Sequence, residues 1–381
     1  MRRPRRREGA RDGAGTYGGE MFASRRAALR RAMEPEGVDA LLVTDLVNVR
    51  YLTGFTGSNA ALLVHAEGEA GSRFCTDGRY REQSAVEVPD LARLEDRACA
   101  LRLAADAGGG GVDRLGFESD AVTVDAHSAL VDAAGPARLH RAPGLVQRLR
   151  AVKDDSEIAA LRAACAAADA ALADLVAAGG LAPGRTEVEV ALDLENRMRG
   201  HGAQGPSFDT IVATGANSAV PHHRPTAAVL AAGDLLKLDF GALVEGYHSD
   251  MTRTFVLGRA ADWQRELYAL VARAQAAGTA ALAPGAAVSA VDEAARSVVR
   301  DAGRGEQFLH GLGHGVGLQI HEAPALAASG AGTLAAGMTV TVEPGVYLAG
   351  RGGVRIEDTL VVADGAAADL LTLTTKELVE V

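Results

Sequence analysis

The feature that most restricts this chain is an order of elements that occurs twice. Between residues 154 and 362 the pattern reads helix, helix, hairpin, and then repeats. In the first copy, "DDSEIAALRAACAAADAALADLV" is a long helix. Asp155 or Ser156 suits its cap, and Ile158, Leu161, Cys165 and Leu172 share one face. A second helix starts at Thr186, where Thr186 and Glu189 have capping-box spacing. A strand near "FDTIVATG", a His-containing loop and the hairpin "LDFGALVEGYHSDMTRTF" follow. In the second copy, "DWQRELYALVARAQAAGTAAL", capped by Asp262, and "SAVDEAARSVVRDAG" precede "FLHGLGHGVGLQIHE". The hairpin "MTVTVEPGVYLAGRGGVRIEDTLVV" closes it. The copies share pattern rather than residue identity. Each lays a hairpin over two helices, which predicts an α+β unit with pseudo-two-fold halves.

The 381 residues exceed what one hydrophobic core usually holds, so a second domain is expected. Upstream, strands such as "VDALLVTD", "SRFCTDGRY" and "RLGFESD" alternate with helical stretches, "SRRAALRRAM" and "LARLEDRACALRLAADAGGGG". "NVRYLTGFTGSNAALLVH" reads as a turn-rich link and a strand. A smaller α/β domain over residues 21–150 is therefore expected, ahead of the repeat-bearing domain over 151–381. Gly108 to Gly111 lacks the third glycine of a dinucleotide fingerprint and reads as a turn. Residues 1–20 are basic and Gly-rich, which suggests a disordered tail or a true start at Met21. The twin Arg there is followed by no apolar segment, which argues against an export signal.

A net charge of −10 argues against nucleic acid or an anionic membrane as partner. No run of 18 apolar residues exists, so no membrane span is expected. The three cysteines, Cys75, Cys99 and Cys165, form no CxxC spacing. That disfavours a disulfide framework or a thiolate zinc site and points to a reducing cytoplasm.

The hairpins carry acids where a core is expected. Asp239 and Asp250 lie on the two arms of the first, near cross-strand neighbours about a turn at Val244–Gly246. Glu343 and Glu357 are placed alike in the second, whose turn is expected near Gly350–Gly353. Adjacent buried carboxylates take up protons or destabilise a fold unless a cation lies between them. Arg253 and Arg355 can supply that charge. So can metal ions, because "HGLGHGVGLQIHE" adds His310, His314 and His321. That stretch has neither the GK[ST] ending of a phosphate loop nor the Glu of HExxH. Oxygen-rich sets with one imidazole suit Mn, Co, Fe or Zn.

The frames "LDFGA", "HSDMTRTF", "HGLGHGVGLQIHE", "TVEPGVY" and "RIEDT" resemble the pita-bread metallopeptidases. That family holds methionine aminopeptidase, Xaa-Pro aminopeptidase and prolidase. "NVRYLTGF" and "TDGRY" resemble the amino-terminal domain of aminopeptidase P, prolidase and creatinase. The resemblance implies a carboxy-terminal pita-bread fold and two divalent ions, with manganese foremost and Co, Zn or Fe as alternatives. Asp239, Asp250, His314, Glu343 and Glu357 are the implied ligands, with Asp250 and Glu357 bridging. Two cations would acidify a water that attacks the scissile carbonyl. Glu343 would pass its proton to the leaving amine, and His321 would donate to the oxyanion. In "GANSAVPHHRPT", Asn217 points to His222 as a further catalytic histidine, with His223 at the rim. His310 and Arg355 are implied to line the substrate pocket, Arg355 also bracing the ligands, and Phe208 is a candidate wall.

The implied activity is release of an amino-terminal residue from peptides with proline second, by a Xaa-Pro aminopeptidase. The alternatives are an Xaa-Pro dipeptidase, for which Arg224 can read the terminal carboxylate, and a non-catalytic peptide-binding protein. A peptide substrate and a homodimer or higher homo-oligomer are the expected partners.

Overall fold

A computed structural model describes residues 14–365 and 367–381. The expectation for residues 1–13 lies outside them, and from Ala14 the chain is helical as far as Met33. Two compact units divide at Arg150 and Ala151.

The first unit is built on a mixed six-stranded sheet. Its order is Ala92–Glu95, Arg73–Thr76, Ala60–His65, Ala40–Val43, Arg114–Phe117, Arg138–Arg141. The strand Ala40–Val43 is buried along its whole length, as the apolar run requires. Two segments differ from expectation. "LVNVRYLT" is a helix, Leu46–Thr53, because the Asp45 side chain accepts from the Val47 N–H and caps it. Ala92–Glu95, read as the start of a helix, pairs as an edge strand with Arg73–Thr76. The helix begins only at Cys99.

The second unit contains the repeat. Helices Asp155–Ala177 and Glu187–Gly200 belong to the first half, Asp262–Ala280 and Val288–Asp301 to the second. The Thr186–Glu189 capping box forms as expected. The first long helix is capped one residue earlier than expected, by Asp154 in a box with Glu157. Ala261, not Asp262, occupies the cap of the third helix, and its N–H is taken by Gln264. Each half has its own apolar core, one gathering Leu172, Leu194 and Leu238, the other Val271, Val291 and Val340.

The first hairpin pairs Leu235–Phe240 with Met251–Val256 and extends through Ala242–Val244 and Tyr247–His248. Its turn has positive φ at Glu245 (51°) and Gly246 (78°), the two-residue geometry that matches strand twist. The second pairs Thr339–Val342 with Asp358–Val361 and Gly345–Leu348 with Gly352–Arg355. Its turn lies at 349–351, just before the expected Gly350–Gly353. No helix among the described residues is long and apolar enough to cross a membrane.

Candidate metal centre

Strand register decides where the acids point. Asp239 pairs with Thr252, and Gly241 falls opposite Asp250. Asp239 and Asp250 are thus diagonal neighbours on one face. In the second hairpin, Val342 pairs with Asp358 and Gly345 with Arg355, which sets Glu343 directly across from Glu357. Asp239, Asp250 and Glu357 are buried.

His314 stands in the short strand Gly313–Gly315, between the strand at Leu326 and the strand Thr339–Val342. Its flanking glycines permit that approach. A Cβ at Gly313 would lie 2.1 Å from the Thr341 carbonyl, and one at Gly315 would lie 2.2 Å from that of Ala323. The His314 backbone N–H donates to Thr341 Oγ1 at 3.0 Å. Nδ1 lies 3.0 Å from the Gly315 carbonyl, so Nδ1 carries a hydrogen and Nε2 faces the acids. Nε2 is 3.5 Å from Asp250 Oδ2 and 3.4 Å from Glu343 Oε1. Asp250, His314 and Glu357 each offer a ligand atom within 4.8 Å of the others.

Other side chains hold the acids in place. Thr252 donates to Glu357 Oε2 at 2.6 Å, and the Arg355 guanidinium donates to Asp239. Arg355 also donates to Thr252 Oγ1, the Tyr347 hydroxyl and the Pro221 carbonyl. Its charge therefore braces the protein more than it awaits a substrate. His310 Nδ1 donates to the Gly311 carbonyl, and its Nε2 accepts from Tyr347 at 2.8 Å. The His321 ring packs edge-on against His314, centroids 4.4 Å apart.

All these expected residues, with His222, His223, Arg224 and Phe208, line one cavity of about 490 Å³. That size suits a small ligand. Neither Tyr347 nor Thr252 stands out in the sequence, although both organise the site. Their only sequence signal is their place on the acid-bearing hairpins.

The electrostatics fit a cation. Burial pushes Asp250 up to about 6 and Glu343 up to about 7, and it raises Glu357 well above the usual carboxylate range, with Asp250 beside it adding to the shift. Burial opposes charge on His314, but Asp250 and Glu343 outweigh it and push that group up to about 9. Four carboxylates thus share one cavity wall with too little positive charge of the protein's own. Oxygen donors with one imidazole are the set a hard or borderline divalent ion takes. Asp250, His314 and Glu357 fit such an ion, with Asp239 and Glu343 beside them.

Residues 25–152 match the creatinase/prolidase N-terminal domain, and residues 159–364 match metallopeptidase family M24. An Xaa-Pro dipeptidase of Pyrococcus horikoshii is 33% identical over 350 residues, 91% of this chain and 96% of its own. The solved Xaa-Pro dipeptidase from Bacillus anthracis superposes with a TM-score of 0.90 at 38% identity, over 94% of this chain and all of its own. An X-Pro aminopeptidase from Thermotoga maritima superposes at 0.85 with 32% identity, over 93% and 99%. A pita-bread unit whose two hairpins turn their acids onto one histidine, matched over this span, makes the chain a hydrolase of metallopeptidase family M24 with a creatinase/prolidase-type amino-terminal domain.

Proposed function

We propose that the chain is an Xaa-Pro dipeptidase, cutting dipeptides that end in proline. The likeness to the Bacillus anthracis dipeptidase across nearly the whole chain carries this. The Pyrococcus horikoshii dipeptidase adds to it. The expectation of an aminopeptidase is supported less well, resting on the Thermotoga maritima likeness.

The ligands proposed are Asp239, Asp250, His314, Glu343 and Glu357, all on the cavity wall. Two divalent ions held there, manganese foremost, would supply Lewis acidity that lowers the pKa of a nucleophilic water. Glu343, raised to about 7 by burial, suits transfer of a proton to the departing proline nitrogen. His321 would donate to the developing oxyanion. His222, exposed on the cavity wall, would hold the substrate carbonyl. His310 keeps Nε2 on Tyr347 and offers its ring as a wall for proline, whose tertiary amide nitrogen asks for no partner. Three buried free cysteines support a reducing cytoplasm. A homodimer or larger homo-oligomer is inferred from the family and is checked by light scattering.

The test supplies Mn and compares Ala-Pro with Ala-Pro-Ala. Cleavage of the dipeptide with little action on the tripeptide is expected. The reverse preference makes the chain an aminopeptidase, and no bound metal with no cleavage makes it a peptide-binding protein.

A further inference from the structure

We propose that Glu187 and Lys237, two fully buried side chains outside the ligand set, are positioning residues that hold His222 at the cavity wall, an inference that rests on the role given to His222 above. His222 lies exposed on that wall, and its ring makes no hydrogen bond or ion pair with the described residues. The rings of His310 and His314, by contrast, are each fixed by their own hydrogen bonds. The placement of His222 is therefore set through the backbone on either side of it.

Glu187 opens the helix Glu187–Gly200 and is fully buried. One of its oxygens accepts from the Thr214 N–H and Asn217 Nδ2, both at 2.9 Å. The other accepts from His223 Nε2 at 2.8 Å, the Thr226 N–H at 2.9 Å and the Thr226 hydroxyl at 2.7 Å. Each of these donors lies between Thr214 and Thr226, so one carboxylate gathers the whole segment that carries His222. Burial opposes charge on Glu187, but the donors outweigh it and hold the carboxyl below the usual carboxylate range. An ionised carboxylate only accepts, which suits such a ring of donors.

Lys237 lies in the strand Leu235–Phe240, on the same face as Asp239 two residues on. Its Nζ donates to the carbonyls of Val220 at 2.6 Å and Pro221 at 3.1 Å. Burial, with the Arg355 charge nearby, lowers Lys237 to about 6, yet even the neutral amine has a hydrogen for each carbonyl. Arg355 also donates to the Pro221 carbonyl at 3.2 Å, and Ser218 Oγ accepts from the Gly353 N–H at 2.9 Å. The two residues before His222 are thus tied to the strand that bears Asp239, and the residue after it is tied to Glu187. A group displaced by about 1 Å costs up to about 100-fold in rate, so both anchors bear on turnover without touching substrate.

The experiment measures kcat/KM on Ala-Pro and bound metal for the Mn-loaded enzyme. It compares wild type, Glu187→Gln, Lys237→Met, His222→Ala and each anchor change combined with His222→Ala. His222→Ala should lower kcat/KM by about 100-fold. Glu187→Gln and Lys237→Met should each lower it by about 10-fold while the metal content stays full. In the His222→Ala background the same changes should cost less than about 2-fold, because the group they place is gone. Thr226→Val removes only the hydroxyl bond to Glu187. It runs the same cycle if Glu187→Gln does not fold, with about 3-fold expected. An anchor variant that loses metal, matches wild type, or keeps its whole effect beside His222→Ala overturns the assignment and leaves the dipeptidase reading standing. Unchanged kcat/KM in His222→Ala removes the residue to be placed, and the assignment falls with it. If wild type prefers Ala-Pro-Ala, the dipeptidase reading falls instead, and the cycle on that peptide decides the assignment. If wild type cuts neither peptide, both fall together.

Discussion

Asp239 on the first hairpin and Arg355 on the second meet as a buried charge pair, so the two halves of the repeat are joined at the candidate metal centre. Thr254 adds a bond to the Arg355 carbonyl at 2.9 Å, and Thr252 adds one to Glu357. Removing one member of such a pair leaves the other charge buried without compensation. Arg355→Ala is expected to lower the stability of the metal-free protein by about 3–5 kcal/mol. Urea unfolding followed by circular dichroism checks it, and a shift below about 1 kcal/mol would contradict the buried pair.

A carboxylate oxygen of Asp250 lies within 4.8 Å of potential ligand atoms of both His314 and Glu357. Asp250→Asn keeps the shape and removes the charge. The variant should bind fewer Mn ions per chain and lose at least about 100-fold in kcat, as chelation of wild type should also do. Metal analysis beside the rate assay decides this. A variant that binds its full complement and stays active would take Asp250 out of the ligand set.

His321 lies against His314 but, among the described residues, makes no contact with the acids comparable to those of His314. His321→Ala should therefore keep its metal while kcat falls by about 100-fold, the loss for one oxyanion donor. Metal loss from this variant would instead make His321 a ligand.

Burial, aided by the nearby Arg355 charge, lowers the His310 pKa to about 4. The unfolded chain, near 6.5, takes up the proton first as pH falls, so the unfolded state binds more protons between those values. Stability from this group is complete above about pH 6.5 and is lost on going down toward pH 4, by up to about 3 kcal/mol. Urea midpoints of metal-free wild type and His310→Asn, compared at about pH 7 and about pH 4.5, should diverge least at the acid end.

Much of this arrangement is legible in the residues. The doubled order of helices and hairpin follows from apolar period and capping residues, as the Thr186–Glu189 box illustrates. The five expected ligands all line one cavity. Less legible are the elements set by neighbours. Ala92–Glu95 has no strong strand pattern of its own and becomes a strand because Arg73–Thr76 offers it an open edge. Leu46–Thr53 is too short and mixed to show a period, and its helix depends on the Asp45 cap. The order of Arg224 and Glu187 in the chain gives no hint that Glu187 pins the loop carrying Arg224. Their link runs through hydrogen bonds that span 27 to 39 residues.

The order of residues, by itself, singled out the groups expected to carry chemistry. An apolar hairpin bearing acids must either neutralise them or recruit cations, because desolvated like charges repel. Tertiary structure alone decided which groups face one another. Strand register put Glu343 across from Glu357 while setting Asp239 diagonal to Asp250. Packing also drew Arg355 onto Asp239 and left Arg224 open to the cavity. Those partnerships depend on distances between segments remote in the chain, and local pattern does not encode such distances.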